Sequence, residues 1–64
     1  MKWTQEEKQL LKNYAWEDDS ETIGEHIQHA HYMLYLEGSH PEFKERTLSA
    51  CKSMLHKICK FGIN

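Results

Sequence analysis

Histidine and cysteine are the side chains of this sequence best suited to bind a metal ion. The 64 residues include five histidines and two cysteines. A zinc site takes four such ligands, and the candidate set is His26, His29, Cys51 and Cys59. His26 and His29 lie three residues apart and share a helical face, but the chain has no Cys-x2-Cys or His-x3-His pair. The pattern therefore favours histidines that line a helix flank and cysteines that fill the core, with no metal and no cofactor.

A cysteine and a histidine could also act together as nucleophile and base. Cys51 and His56 are five residues apart on one predicted helix, so their side chains point about 140° apart, which is wrong for proton transfer between them. Cys59 is three residues from His56, but both cysteines are predicted to be buried, and a buried thiol is unreactive. We predict that the protein is not an enzyme and has no small-molecule substrate.

The length and composition predict one small folded domain, residues 1–64. A chain this short buries only about 60% of its unfolded surface, and its 39% hydrophobic and 28% charged residues are typical of a folded domain. Met1 to Thr4 lead into a charged segment and not into the apolar stretch of a signal peptide. The longest apolar run, residues 32–36, is far shorter than the ~20 residues of a membrane span. We expect a cytoplasmic protein with reduced cysteines and no membrane contact.

The first helix is predicted from a capping signal. Thr4 and Glu7 form a capping box, in which the Thr4 hydroxyl accepts from the Glu7 amide and the Glu7 carboxylate reaches back. Trp3, just before the cap, is placed to fold onto the apolar face. This helix should end near Ala15.

The second helix is predicted from apolar residues at helical spacing. It should be capped by Asp19 or Ser20, extend over residues 21–37 and end before Gly38. The residues of its inward stripe are Ile23, Ile27, Ala30 and Leu34.

The third helix has two predicted starts. Pro41 could begin a long helix, or Thr47 could cap a shorter one that extends from Leu48 to about Lys60, and we prefer the shorter helix. Its inward side would carry Leu48, Cys51, Leu55, Ile58 and Cys59. No segment alternates with a period of two for long enough to form a strand, so we predict an all-α, three-helix domain.

The charge of the chain is divided between its two halves. The formal net charge is −2, with three lysines against eight acidic residues in residues 1–37 and five basic against two acidic residues in residues 38–64. From Arg46 onward the sequence contains no acidic residue. On a helical wheel, the outward side of the third helix combines lysines with short polar side chains, which suits phosphate contacts and an approach to base edges. The candidate DNA-contacting residues are Arg46, Ser49, Lys52, Ser53, His56, Lys57 and Lys60.

Two parts of the sequence resemble Myb/SANT-like helix-turn-helix domains. One is Trp3-Thr4-Gln5-Glu6-Glu7 followed by Leu10-Leu11, and the other is the Arg46-Thr47 pair that precedes the third helix. The resemblance implies a three-helix fold of helix-turn-helix type whose third helix reads DNA. About 18 residues separate Ile27 from Arg46, whereas this family joins its second and third helices by a short turn, so an extended second helix or an insertion is expected.

A short apolar band interrupts the polar side of the second helix. Leu34 belongs to the inward stripe, whereas Tyr32, Tyr35 and Leu36 fall on the opposite side, with Met33 on a flank. Either the Gly38–Glu45 segment folds back with Phe43 to cover this band, or a second chain covers it.

Two functions follow from these patterns. We predict a small DNA-binding protein, a transcription modulator of the kind that bacteria or phages encode, which reads duplex DNA with residues 48–60. The alternative is an interaction module or an inhibitor of a host protein. It would act through the acidic residues of the first half (Glu17, Asp18, Asp19 and Glu21) and the apolar band.

Overall fold

Three α-helices and one π-helical segment form the domain in the computed structural model, which describes residues 2–63. They are α1 (Gln5–Glu17), α2 (Ile23–His31), the π-helical segment (Tyr32–Leu36) and α3 (Leu48–Phe61). Residues 2–63 contain no strand, and the prediction of an all-α, three-helix domain is confirmed. No helix in this part of the chain is long and apolar enough to cross a membrane.

A threonine caps each of the three α-helices. The hydroxyls of Thr4, Thr22 and Thr47 accept the amide three residues ahead, at 3.1, 3.3 and 3.0 Å, so each satisfies one amide that the first helical turn leaves unpaired. The predicted starts of the first and third helices are confirmed, and the long third helix from Pro41 is wrong. The prediction that Asp19 or Ser20 caps α2 is also wrong, because Thr22 has that role.

The π-helical segment changes the predicted direction of one tyrosine. The Glu37 amide donates to the carbonyl of Tyr32, five residues back, at 2.9 Å. This wider turn places both Leu34 and Tyr35 toward the core, whereas an α-helical wheel places Tyr35 on the opposite side. Leu34 is fully buried and Tyr35 is half-buried. The prediction that Tyr35 faces away from the core is therefore wrong.

Residues 37–47 fold back onto the bundle without helical structure. Phe43 is half-buried against the core, and its ring stacks on His40 at 5.6 Å between centroids. His40 in turn shares a hydrogen bond of 2.8 Å with the Tyr14 hydroxyl of α1. The segment thus folds back onto the core, but Tyr32 and Leu36 of the apolar band stay exposed beside it.

The core lies between the three helices and contains eight buried side chains, Leu11, Ala15, Ile27, Ala30, Leu34, Cys51, Leu55 and Ile58. Burial of a single leucine or isoleucine is worth about 1.5–3 kcal/mol, and partly buried side chains such as Trp3, Leu10 and Met54 pack against these eight. Three predicted core residues are exposed instead. Ile23 and Leu48 are the first residues of their helices and are 41% and 44% exposed, and Cys59, near the end of α3, is exposed as well.

Candidate nucleic-acid interface

The outer side of α3 exposes six side chains that can contact nucleic acid. These are Ser49, Lys52, Ser53, His56, Lys57 and Lys60, and all six are exposed. The opposite side of the helix carries Cys51, Leu55 and Ile58, which are buried. The helical period of the sequence therefore separates an apolar inner side from a polar outer side, and the predicted face is presented to solvent.

The chemistry of this face is cationic and hydrogen-bonding. Three lysines supply ammonium groups, and the serines and His56 supply small donors and acceptors. Residues 46–63 contain no carboxylate side chain. The exposed aromatic ring of Phe61, which is 72% exposed, extends the end of the face, with the Lys60 ammonium 5.3 Å from its centroid. No motif in the sequence points to Phe61 as a contact residue.

Arg46 has a different position from the one expected of a phosphate contact. Its Nε donates to the Glu7 carboxylate at 2.7 Å and its Nη2 donates to the same group at 3.0 Å. The guanidinium also lies 4.2 Å from the Trp3 ring centroid, in a cation–π contact. The hydrogen bonds from Arg46 to Glu7 raise the pKa of the guanidinium. Arg46 is thus tied to α1 and does not extend the free outer face of α3.

Glu7 is the acidic partner on which this cluster is built. Its side chain is only 4% exposed, and it accepts the Tyr35 hydroxyl at 2.6 Å as well as Arg46. The expected return of the Glu7 carboxylate to its own helix cap is therefore wrong, because the carboxylate is used between helices. Part of this could be seen in the sequence, since Glu7 lies four residues before Leu11 and therefore on the same face of α1.

The same cluster perturbs two titrating side chains. Burial and the hydrogen bond to Glu7 raise the pKa of Tyr35 well above its usual value of 10.0, so the neutral phenol is the form that fits the fold. Neutral Tyr35 contributes stability below about pH 10, and this contribution is lost as the pH rises through its folded pKa. Burial also raises the pKa of the Cys51 thiol to about 11.

His31 fixes the chain immediately before α3. It is buried, and its Nε2–H donates to the Arg46 carbonyl at 2.7 Å. Its ring makes an edge contact with Tyr35, with centroids 5.3 Å apart. Both the backbone and the side chain of Arg46 are therefore fastened, and the start of the candidate recognition helix at Leu48 is positioned by residues of α1 and α2.

The histidines considered as metal ligands connect α1 to α2. His26 Nδ1–H donates to the Ala15 carbonyl at 2.8 Å, which satisfies one of the last carbonyls of α1. His29 Nε2 lies 3.2 Å from the Glu17 carboxylate. Within residues 2–63, no group of three or more His, Cys, Asp or Glu side chains is placed to hold a metal ion.

The apolar band is partly used by the fold. Tyr32 is 51% exposed and Leu36 is 54% exposed, and the two side chains lie four residues apart on the π-helical segment. Met33 is half-buried, and Tyr35 is bonded to Glu7 as described above. The exposed part of the predicted partner surface is therefore reduced to Tyr32, Leu36 and part of Met33.

Comparisons of the chain with protein-family models, with curated proteins and with solved structures give no match. The geometry of α3 and the charges that it displays therefore carry the functional argument.

The Tyr35 hydroxyl should stabilise the fold measurably. We expect Tyr35→Phe to lower the free energy of unfolding by about 1.5–3 kcal/mol, because a hydrogen bond to a charged group is worth about that much. Urea unfolding followed by circular dichroism measures the difference. Tyr32→Phe removes the same atom from an exposed ring and should change stability by less than about 0.5 kcal/mol; equal effects of the two variants would contradict the assigned bond.

The two thiols should differ in reactivity. At pH 8, DTNB should modify Cys59 rapidly and Cys51 only when the protein unfolds, because Cys51 is fully buried with a pKa of about 11 whereas Cys59 is exposed. Absorbance at 412 nm should show one fast equivalent in the native protein and two in guanidinium. Cys59→Ser should abolish the fast phase, and a single rate for both thiols would show that Cys51 is accessible.

Proposed function

We propose that this protein binds duplex DNA with the outer face of α3 and acts as a small transcription modulator of the cytoplasm. The observation that carries the proposal is the exposure of all six polar side chains on that face together with the burial of the opposite side. A helix that enters a major groove needs this division, since one side must remain in the protein while the other meets the DNA.

The residues of the face divide between two kinds of contact. Lys52, Lys57 and Lys60 contact phosphates, which supply affinity without sequence preference. Ser49, Ser53 and His56 approach base edges, where hydroxyl and imidazole groups donate or accept hydrogen bonds. Arg46 is omitted from the contact set because its guanidinium is bound to Glu7.

The dimensions of α3 support this placement. Its 14 residues form a helix about 21 Å long, and a B-DNA major groove about 12 Å wide admits one α-helix. The resemblance of Trp3 to Leu11 and of the Arg46-Thr47 pair to Myb/SANT-like domains adds support from sequence. Residues 46–63 contain no Asp or Glu, so no carboxylate on α3 would repel a DNA phosphate.

Affinity for duplex DNA should depend on salt and on the lysines of α3. With three phosphate contacts, the logarithm of the association constant should fall against the logarithm of salt concentration with a slope of about −3. The double variant Lys52→Glu, Lys57→Glu should lower affinity and reduce the slope by roughly 2, because two phosphate contacts are lost. Fluorescence anisotropy with a labelled random-sequence duplex, repeated over a salt series, measures both quantities.

The matched control is Lys12→Glu, which makes the same change of charge on α1. It should leave the slope unaltered, and circular dichroism should show every variant folded. An affinity that does not vary with salt, or one that the double variant retains, would eliminate the DNA-binding proposal.

The exposed side chains of the apolar band support a second candidate function, which is binding to a protein partner. Tyr32 and Leu36 form an apolar pair on the surface, and aromatic and aliphatic anchors of this kind are typical of interfaces. The partner would be a host protein or a second copy of the chain, and the acidic residues of the α1–α2 connection would add charge contacts.

The two candidates separate in one experiment. If the second candidate is right, the tagged protein should retain its partner from a cell extract. The double variant Tyr32→Ser, Leu36→Ser should lose the partner. Lys57→Glu should keep it, because the interface does not include α3. Retention that depends on Lys57 and disappears on nuclease treatment would favour DNA and remove the second candidate. Sedimentation equilibrium of the purified protein identifies a second copy as the partner.

A further inference from the structure

A groove lies between α2 and α3, on one flank of the outer face of α3. Its volume is about 350 Å³, at the low end of the ~300–1,000 Å³ found for binding sites. Six residues line it, Gly24, Ile27, Gln28, Leu48, Ser49 and Lys52. Five of the six are exposed and only Ile27 is buried, so the groove is shallow and open along one side.

Gly24 keeps this groove open. It lies in the first turn of α2, and a Cβ atom built there would meet nothing within 4 Å. No positive φ angle requires a glycine at this position, and glycine is less favourable than alanine within a helix. A side chain at residue 24 would be tolerated by the fold and would occupy the groove. Gly24 is thus a position at which a substitution can reach into the groove without disturbing the fold.

The lining combines an apolar floor with a cationic rim. Ile27 and Leu48 provide hydrocarbon, Gln28 and Ser49 provide hydrogen-bonding groups, and Lys52 is the charged residue among the six. Glu25, whose carboxylate accepts the Thr22 hydroxyl at 3.0 Å, is not among the six lining residues. The groove thus suits an occupant that is apolar at its centre and negatively charged at its edge.

We propose that the groove binds a segment of a partner protein that inserts one bulky apolar side chain and places an adjacent Asp or Glu beside Lys52. A small molecule would remain largely exposed in so shallow a site, whereas bound ligands are typically 70–90% buried. The backbone of DNA would bring phosphates to the rim and leave the hydrocarbon floor without a partner. An acidic, amphipathic peptide satisfies both the floor and the rim.

This peptide site shares Ser49 and Lys52 with the face proposed to bind DNA. An occupant of the groove would therefore exclude duplex DNA from α3, and the partner would regulate the helix by competition. The peptide site does not depend on DNA binding, because its floor is formed by residues of α2 and by Leu48.

The test is a titration of isotope-labelled protein, followed by NMR, with a capped twelve-residue helical peptide that carries Leu and Phe on one face and Glu on the other. We expect shifts of the Ile27 methyl groups and of the Gly24 and Ser49 amides. Gly24→Leu, which fills the groove, should weaken the peptide at least tenfold without a loss of thermal stability. Lys52→Glu should weaken it similarly, while Lys57→Glu, on the other flank of α3, should leave the affinity unchanged.

The outcomes separate the peptide site from its competitors. The proposal is overturned by an absence of shifts at millimolar peptide, by shifts confined to Tyr32 and Leu36, or by equal binding to the Gly24→Leu variant. It is also overturned if Gly24→Leu weakens a duplex and not the peptide, since the groove would then belong to the DNA site. Because the titration contains no DNA, its failure leaves the DNA-binding proposal unaffected, and the salt series tests that proposal separately.

Discussion

A buried carboxylate determines how this domain is assembled. Glu7 is almost completely removed from water, and an unpaired charge there would cost several kcal/mol. The fold must therefore bring donors to it, and they come from two distant parts of the chain, Tyr35 on the π-helical segment and Arg46 before α3. Loss of one partner of such an ion pair typically costs about 3–5 kcal/mol, which is a large share of the stability expected for a domain of this size.

Other polar contacts lie at the junctions between the helices. These contacts act beside a small core of eight buried apolar side chains and the partly buried ones packed against it. His26 joins α2 to the end of α1, His31 joins it to the start of α3, and His40 joins the connection to Tyr14. These directional bonds help to position α3. The side chains on the outer face of that helix are exposed to solvent.

The sequence predicted those features that depend on neighbours along the chain. Threonine caps at Thr4 and Thr47, the inward stripe from Ile27 in α2 to Leu34 in the π-helical segment, and the exposed polar face of α3 all follow from helical period and capping chemistry. What it could not predict depends on tertiary distance. The capping box is a local motif and predicts that Glu7 bonds to its own cap, whereas its partner Arg46 is 39 residues away.

Two further differences have the same origin. A helical wheel assumes 100° per residue, so it does not include the wider turn of the π-helical segment and predicts the wrong side for Tyr35. Cys59 shares the apolar side of α3, but whether a side chain is covered depends on where the neighbouring helices end. A periodic pattern predicts which side of the helix a residue lies on, but it does not predict how far neighbouring helices bury that residue.

The π-helical segment also has a consequence for variation in chain length. A single π turn is equivalent to an α-helix that has accommodated one inserted residue. The extra residue is absorbed inside the turn, so the residues on either side keep nearly the register of a continuous α-helix. Deletion of one residue within the segment would restore a regular α-helical turn with little rotation of its flanks. The change would fall inside the segment, where Leu34 and Tyr35 would no longer both face the core. The number of residues in this stretch is therefore tied to the contact of Tyr35 with Glu7.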